Sequence, residues 1–172
     1  MGMCWTSLKK YENAVEKFDE ILTRFPDSQW SENAVFWKGE AFYNSVRFNQ
    51  AVETLNGFLK KYPRSEWADD AHYNLGWAYL KLGMEDKALS EFKQVVETSQ
   101  DEFLKAGALC RTGDLYLNRK DFTKAIESYD IVLKEYPDSL YADQAQYQLG
   151  IALFKSEKID SSLLAFQSVL TN

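Results

Sequence analysis

Apolar residues recur along this chain at spacings of three and four, with polar residues filling the intervals. Ala51, Val52, Leu55, Phe58, Leu59 and Tyr62 trace one stripe, and Ala125, Ile126, Tyr129, Val132, Leu133 and Tyr136 trace another. This is the period of a helix buried along one face. The stripes break at Phe25-Pro26-Asp27-Ser28, Tyr62-Pro63-Arg64-Ser65 and Tyr136-Pro137-Asp138-Ser139. Proline cannot continue a helical ladder, and serine can accept a hydrogen bond from the free N–H groups of the turn that follows. Leu82-Gly83 and Asn118-Arg119 read as short helix-to-helix turns. The junction Thr98-Ser99-Gln100 has no proline. There Ser99 and Glu102 form a candidate capping box, which predicts a helix starting about one turn early.

The pattern repeats. Gly2, Gly39, Gly76, Gly113 and Gly150 are spaced 37 residues apart and account for five of the eight glycines. Pro26, Pro63 and Pro137, the chain's three prolines, keep the same register. So do Ala14, Ala51, Ala88 and Ala125, with Ser162 closing the series. Large residues follow the alanines at Phe18, Leu55, Phe92, Tyr129 and Phe166, and the glycines at Trp5, Phe42, Tyr79, Tyr116 and Leu153. Each period therefore holds two helices, the first carrying the glycine and the second the alanine, and a fixed period of this length marks a repeat protein. Glycine inside a helix costs roughly 0.5–1 kcal/mol relative to alanine. Paying it in every period implies that a Cβ would clash. The expected cause is close backbone approach between paired helices, with the alanine or serine of the partner helix meeting the glycine.

Composition narrows the function classes. Apolar residues make up 45% of the 172 residues, charged residues 27% and aromatic residues 15%, and the net charge is −6. The chain has no basic block, which argues against a nucleic-acid surface. It has no apolar run long enough to span a bilayer, so direct membrane insertion is not expected. No secretory signal is visible, and Cys4 lacks the preceding apolar stretch of a lipidation site. Cys4 and Cys110 fall in different repeats and have no CxxC or Cys/His partner, so they read as small buried residues with no metal and no disulfide.

Taken together, the residues resemble the tetratricopeptide repeat. Leu75-Gly76, Tyr79, Ala88 and Phe92 match its pattern, as do Gly113, Tyr116, Ala125, Tyr129 and Pro137; Gly39, Phe42, Ala51, Leu55 and Pro63 match in kind. The usual period of that family is about 34 residues. Here it is longer, and Val35, His72, Leu109 and Gln146 hold the place of the leading tryptophan. The added length carries Trp30, Trp67, Leu104 and Tyr141. This longer variant is similar to repeats of bacterial cell-envelope proteins, such as the periplasmic partner of the Tol-Pal system and the lipoprotein of the outer-membrane assembly machine. The resemblance implies an all-α fold, a right-handed superhelical solenoid of helix-turn-helix hairpins with about four and a half repeats. They would form one array over 1–172, with repeats near 1–31, 32–68, 69–105, 106–142 and 143–172. The first and last are partial, so the chain reads as a fragment or as a unit that pairs through its ends. A location in the periplasm or cell envelope follows from the resemblance, with the cytoplasm as the alternative.

In that family the first helices of successive repeats line a concave face. Projected from the glycines, the face holds Asn33, Phe36, Glu40, Tyr43 and Asn44, then Asp70, Tyr73, Trp77, Leu80 and Lys81. The later repeats add Cys110, Arg111, Asp114, Leu117 and Asn118, then Gln144, Tyr147, Ile151, Phe154 and Lys155. Aromatic anchors between amide and acidic groups suit a peptide or helix of a protein partner. Leu80, Leu117 and Ile151 have packing between repeats as their other reading. A two-carboxylate clamp for chaperone C-termini is set aside, because Phe36 and Glu40 hold its places and Glu40 would repel a carboxylate. His72, the one histidine, sits at the leading-aromatic place and reads as a packed, hydrogen-bonded residue. With no second histidine and no metal-ligand spacing, no catalytic residues and no cofactor are expected. The expected function is a protein-interaction scaffold that takes a peptide or helix in the groove. The alternative is a self-assembling module joined by apolar end faces.

Overall fold

The structure is a computed structural model that describes residues 10–171, with side chains through 169. Gly2, Cys4 and Trp5, and the side chain of Leu170, lie outside the described residues. Within them the fold is all-α, a succession of helix-turn-helix pairs. The helices are α1 (Tyr11–Arg24), α2 (Ser31–Asn44), α3 (Phe48–Lys61), α4 (Ala68–Lys81), α5 (Glu85–Thr98), α6 (Glu102–Asn118), α7 (Phe122–Glu135), α8 (Ala142–Lys155) and α9 (Ile159–Thr171). Contacts divide the chain into two compact units, residues 1–91 and 92–172, with the boundary inside α5.

The core of the first unit is built from Ala14, Val15, Phe18, Ala34, Ala41, Phe42, Ala51 and Ala78. That of the second is built from Ala106, Leu109, Cys110, Ala125, Tyr129, Val132, Ala145, Leu149 and Ala152. The in-register alanines are fully buried in both. A shift of 74 residues, two periods, maps Ala51 onto Ala125 and Ala78 onto Ala152, a member of one core onto a member of the other.

Gly39, Gly76, Gly113 and Gly150 are buried, but at Gly39, Gly113 and Gly150 the neighbour differs from the expected one. A Cβ added to Gly39 would lie 2.6 Å from Leu55, one on Gly113 2.5 Å from the Tyr129 ring, and one on Gly150 2.5 Å from the Phe166 ring. The large residue of the partner helix lies directly on the glycine. The small residue's part shows at Ser162, whose hydroxyl donates to the Gly150 carbonyl at 2.9 Å. The physical cause is the same in kind: hairpin helices approach closely enough that a large side chain, Leu55 or an aromatic ring, needs the volume a Cβ would occupy.

The proline-free junction also differs in detail. α6 begins at Glu102, one turn earlier than the other first helices, as the sequence predicts. Its cap, however, is Asp101, whose carboxylate accepts from the N–H of Phe103 at 2.8 Å and of Leu104 at 3.3 Å, while Ser99 accepts from the N–H of Asp101 at 3.1 Å. A carboxylate accepts two donors at a helix start more strongly than a hydroxyl. The turns inside the hairpins share one device. Val46, Gly83, Lys120 and Glu157 all have φ between 61° and 71°, in register. Only Gly83 adopts this left-handed conformation without a Cβ penalty.

Candidate functional site

α2 and α4 in the first unit, and α6 and α8 in the second, carry the residues projected onto the groove. In the first unit Glu40, Tyr43, Asp70, Tyr73 and Trp77 come together. Burial pushes the Glu40 carboxyl above the usual carboxylate range, the Asp70 carboxylate adds to this, and a hydrogen bond from the Asn74 amide opposes it. Burial, then Glu40, then Tyr73 raise the Tyr43 phenol. Tyr73 meets Trp77 edge to face, with ring centroids 6.4 Å apart. Asn44 is exposed and donates to the Glu40 carbonyl at 2.9 Å. Lys81 is exposed, and Asn33 and Leu80 are half-buried.

Phe36 sits elsewhere. It is only 3% exposed, stacked on Trp67 at 5.1 Å and 20°, with Trp37 at 5.2 Å and Phe58 at 5.7 Å. It belongs to the core, because the tryptophan of the added segment folds back over it and covers it. Cys110, two periods on, is likewise fully buried. Its thiol is pushed up to about 12 by burial and points at the Tyr141 carbonyl, 3.9 Å away.

In the second unit Asp114 is the hub. Its carboxylate accepts from the Tyr129 hydroxyl at 2.8 Å and from the Gln148 amide at 3.2 Å, and it pairs with the Arg111 guanidinium at 2.9 Å. Arg111 is thereby tied to its own helix. Asn118 is exposed, and Leu117, Gln144 and Ile151 are half-buried. Tyr147 and Phe154, one face of α8 two turns apart, are 53% and 60% exposed, and the Tyr147 ring lies 5.7 Å from Phe166. Lys155 is exposed beside them.

Sequence projection missed Asn74 and Gln148. Both stand two residues before a register glycine, and each holds an acid one residue after the preceding register glycine, Glu40 or Asp114. The signal was present: acid and amide recur together after 74 residues. His72 hydrogen-bonds Glu91 at 2.6 Å, both side chains being a quarter exposed or less. This ties α4 to α5 within the first unit. Among the described residues no helix is long and apolar enough to cross a membrane.

The family described as outer membrane lipoprotein, YfiO, matches residues 5–109, and a tetratricopeptide-repeat family matches residues 108–139. No curated protein matches the chain. Solved structures share its fold. MamA from Desulfovibrio magneticus RS-1 is 19% identical with a TM-score of 0.81, the alignment covering 99% of this chain and 89% of that one. A tetratricopeptide repeat protein from Parabacteroides merdae is 16% identical at 0.81, over 99% and 63%. YrrB, described as having an unusual peptide-binding site, is 18% identical at 0.75, over 99% and 81%. Tetratricopeptide repeats serve protein–protein interaction, and the matched families are non-catalytic scaffolds.

Proposed function

Because this chain belongs to the YfiO outer membrane lipoprotein family, we propose that it is an interaction scaffold of the bacterial cell envelope. Its α2/α4 face receives a peptide or helix of a protein partner. The observation that carries this reading is the juxtaposition of Glu40 with Asp70 beside Tyr43, Tyr73 and Trp77. Keeping a carboxyl half-buried beside a second one is unfavourable in the free protein. A cationic side chain arriving from a partner relieves that cost, and the rings add cation–π and apolar contact. The partner segment is therefore one with basic and apolar groups. Membership of the family supports a role in outer-membrane assembly. Binding of a panel of basic-apolar peptides, compared between the parent chain and Trp77→Ala and Tyr73→Ala, tests the reading. Loss of about tenfold or more in affinity is expected for an anchor aromatic, and unchanged affinities would show that the groove is the wrong surface.

A second reading, self-association through an apolar helix face, is favoured by α9, where Leu163 is 56% and Leu164 65% exposed. Light-scattering mass over a dilution series separates the two. A monomer at every concentration removes self-association.

A further inference from the structure

The junctions between repeats occupy equivalent places, and the second unit puts different side chains there from the first. The extra first turn of α6 and the Tyr136-Pro137-Asp138-Ser139-Leu140 turn enclose a cleft of about 420 Å³. Phe103 and Leu140 stand at its edge, 49% and 87% exposed, and Phe103 packs on Tyr141 with ring centroids 5.1 Å apart. These two residues share one register place, which in the first unit holds the exposed polar residues Gln29 and Glu66. Phe103 is partly accounted for by its packing on Tyr141, but Leu140 is almost wholly in solvent, so packing within the chain does not explain an apolar side chain there.

Charge changes at the same junctions. Glu102, Glu135 and Asp138 line the cleft, and none of its lining residues is basic. The register place of Glu135 holds Arg24 and Lys61 in the first unit, and that of Asp138 holds Asp27 and Arg64. Burial, then Glu135, then Glu102 raise the Tyr136 phenol, which places both carboxylates beside the cleft's ring. Two apolar anchors and three carboxylates around one concavity are complementary to a segment that alternates apolar and cationic side chains.

We propose that this cleft of the second unit is a docking site for a short linear segment of a partner protein in which leucine-like side chains flank arginine or lysine. Phe103 and Leu140 grip the apolar side chains, and Glu102, Glu135 and Asp138 receive the cation. The site shares no residue with the α2/α4 face.

The probe is an acetylated, amidated hexapeptide alternating leucine and arginine, titrated into the isotopically labelled chain and followed by NMR. Leucine-glutamate and serine-arginine versions serve as comparisons. Only the leucine-arginine peptide is expected to bind, with amide shifts centred on 102–103 and 135–140. Its affinity should fall as salt is raised. Removing the exposed anchor in Leu140→Ser should weaken it about tenfold, as should Glu135→Gln combined with Asp138→Asn. Both variants change exposed side chains, so the fold is retained. The proposal is overturned if the leucine-arginine peptide does not bind or if the leucine-glutamate peptide binds as well. It is equally overturned if Leu140→Ser leaves the affinity unchanged, or if Trp77→Ala abolishes binding, which would place the peptide on the α2/α4 face.

Discussion

Phe36, Trp37, Phe58 and Trp67 in the first unit hold the same four register places as Cys110, Arg111, Val132 and Tyr141 in the second. In the first unit these places form a box of rings, with Phe36 stacked on Trp67, Trp37 edge-on to both, and Phe58 beside Phe36. The second unit fills them with a thiol, a guanidinium, a smaller aliphatic residue and one ring. The helices are nearly the same; the chemistry at these places is different. The consequence reaches the acid at the neighbouring place. Arg111 pairs with Asp114, so that carboxylate is compensated where it lies. Its counterpart Glu40 has Trp37 at the corresponding place, lies beside Asp70 and is pushed up by burial. The repeat thus fixes where an acid stands, and the residue two places before the glycine decides whether the protein itself balances it. The unit that leaves the acid beside a second acid is the one suited to receiving a cation from elsewhere.

The largest effect expected is on the feature both units share. Gly113→Leu would drive side-chain atoms into the fully buried Tyr129 ring and should cost about 3 kcal/mol, the upper end of ordinary overpacking. A urea midpoint within error of the parent would break the account of the register glycines.

The acids come next, and they should respond in opposite directions. Asp114→Ala leaves the Tyr129 hydroxyl, Gln148 and Arg111 without their acceptor, costing about 2 kcal/mol. Glu40→Gln should instead raise the thermal midpoint at pH 7. A carboxyl raised above its unfolded range contributes stability that is complete below the unfolded pKa and is lost as pH rises through the folded one. The gain from Glu40→Gln should therefore shrink as pH falls through the carboxylate range and vanish below it. Destabilisation by Glu40→Gln at neutral pH would contradict the contrast between the units.

Smaller effects sharpen the comparison at turns. Val46 sits at φ 64° where the next hairpin has Gly83. Val46→Gly should stabilise by about 1 kcal/mol, the left-handed penalty of a side chain net of glycine's entropy. Gly57 is the contrast to the register glycines, since a Cβ there meets nothing within 4 Å. Gly57→Ala should stabilise by about 0.5–1 kcal/mol as an unhindered helix position. Chemical denaturation checks both, and a loss of stability at Gly57 would mean that emptiness around a glycine does not predict tolerance.

The sequence by itself determined the helices, their hairpin pairing, the buried alanines, the early start of α6 and the family. These follow from local period and from small residues repeated at one step, which neighbouring helices meet in the same way each time. It also located Glu40, Tyr43, Asp70, Tyr73 and Trp77 on one face. Only the tertiary structure decided that Phe36 is core, that a large side chain and not an alanine fills the space at Gly39, Gly113 and Gly150, that Asp101 caps α6, and that Asn74 and Gln148 hold the acids Glu40 and Asp114. Each of these depends on a side chain reaching across from another helix. Distance and direction between elements set that reach, and a one-dimensional period contains the spacing of the elements but not the paths of the side chains between them.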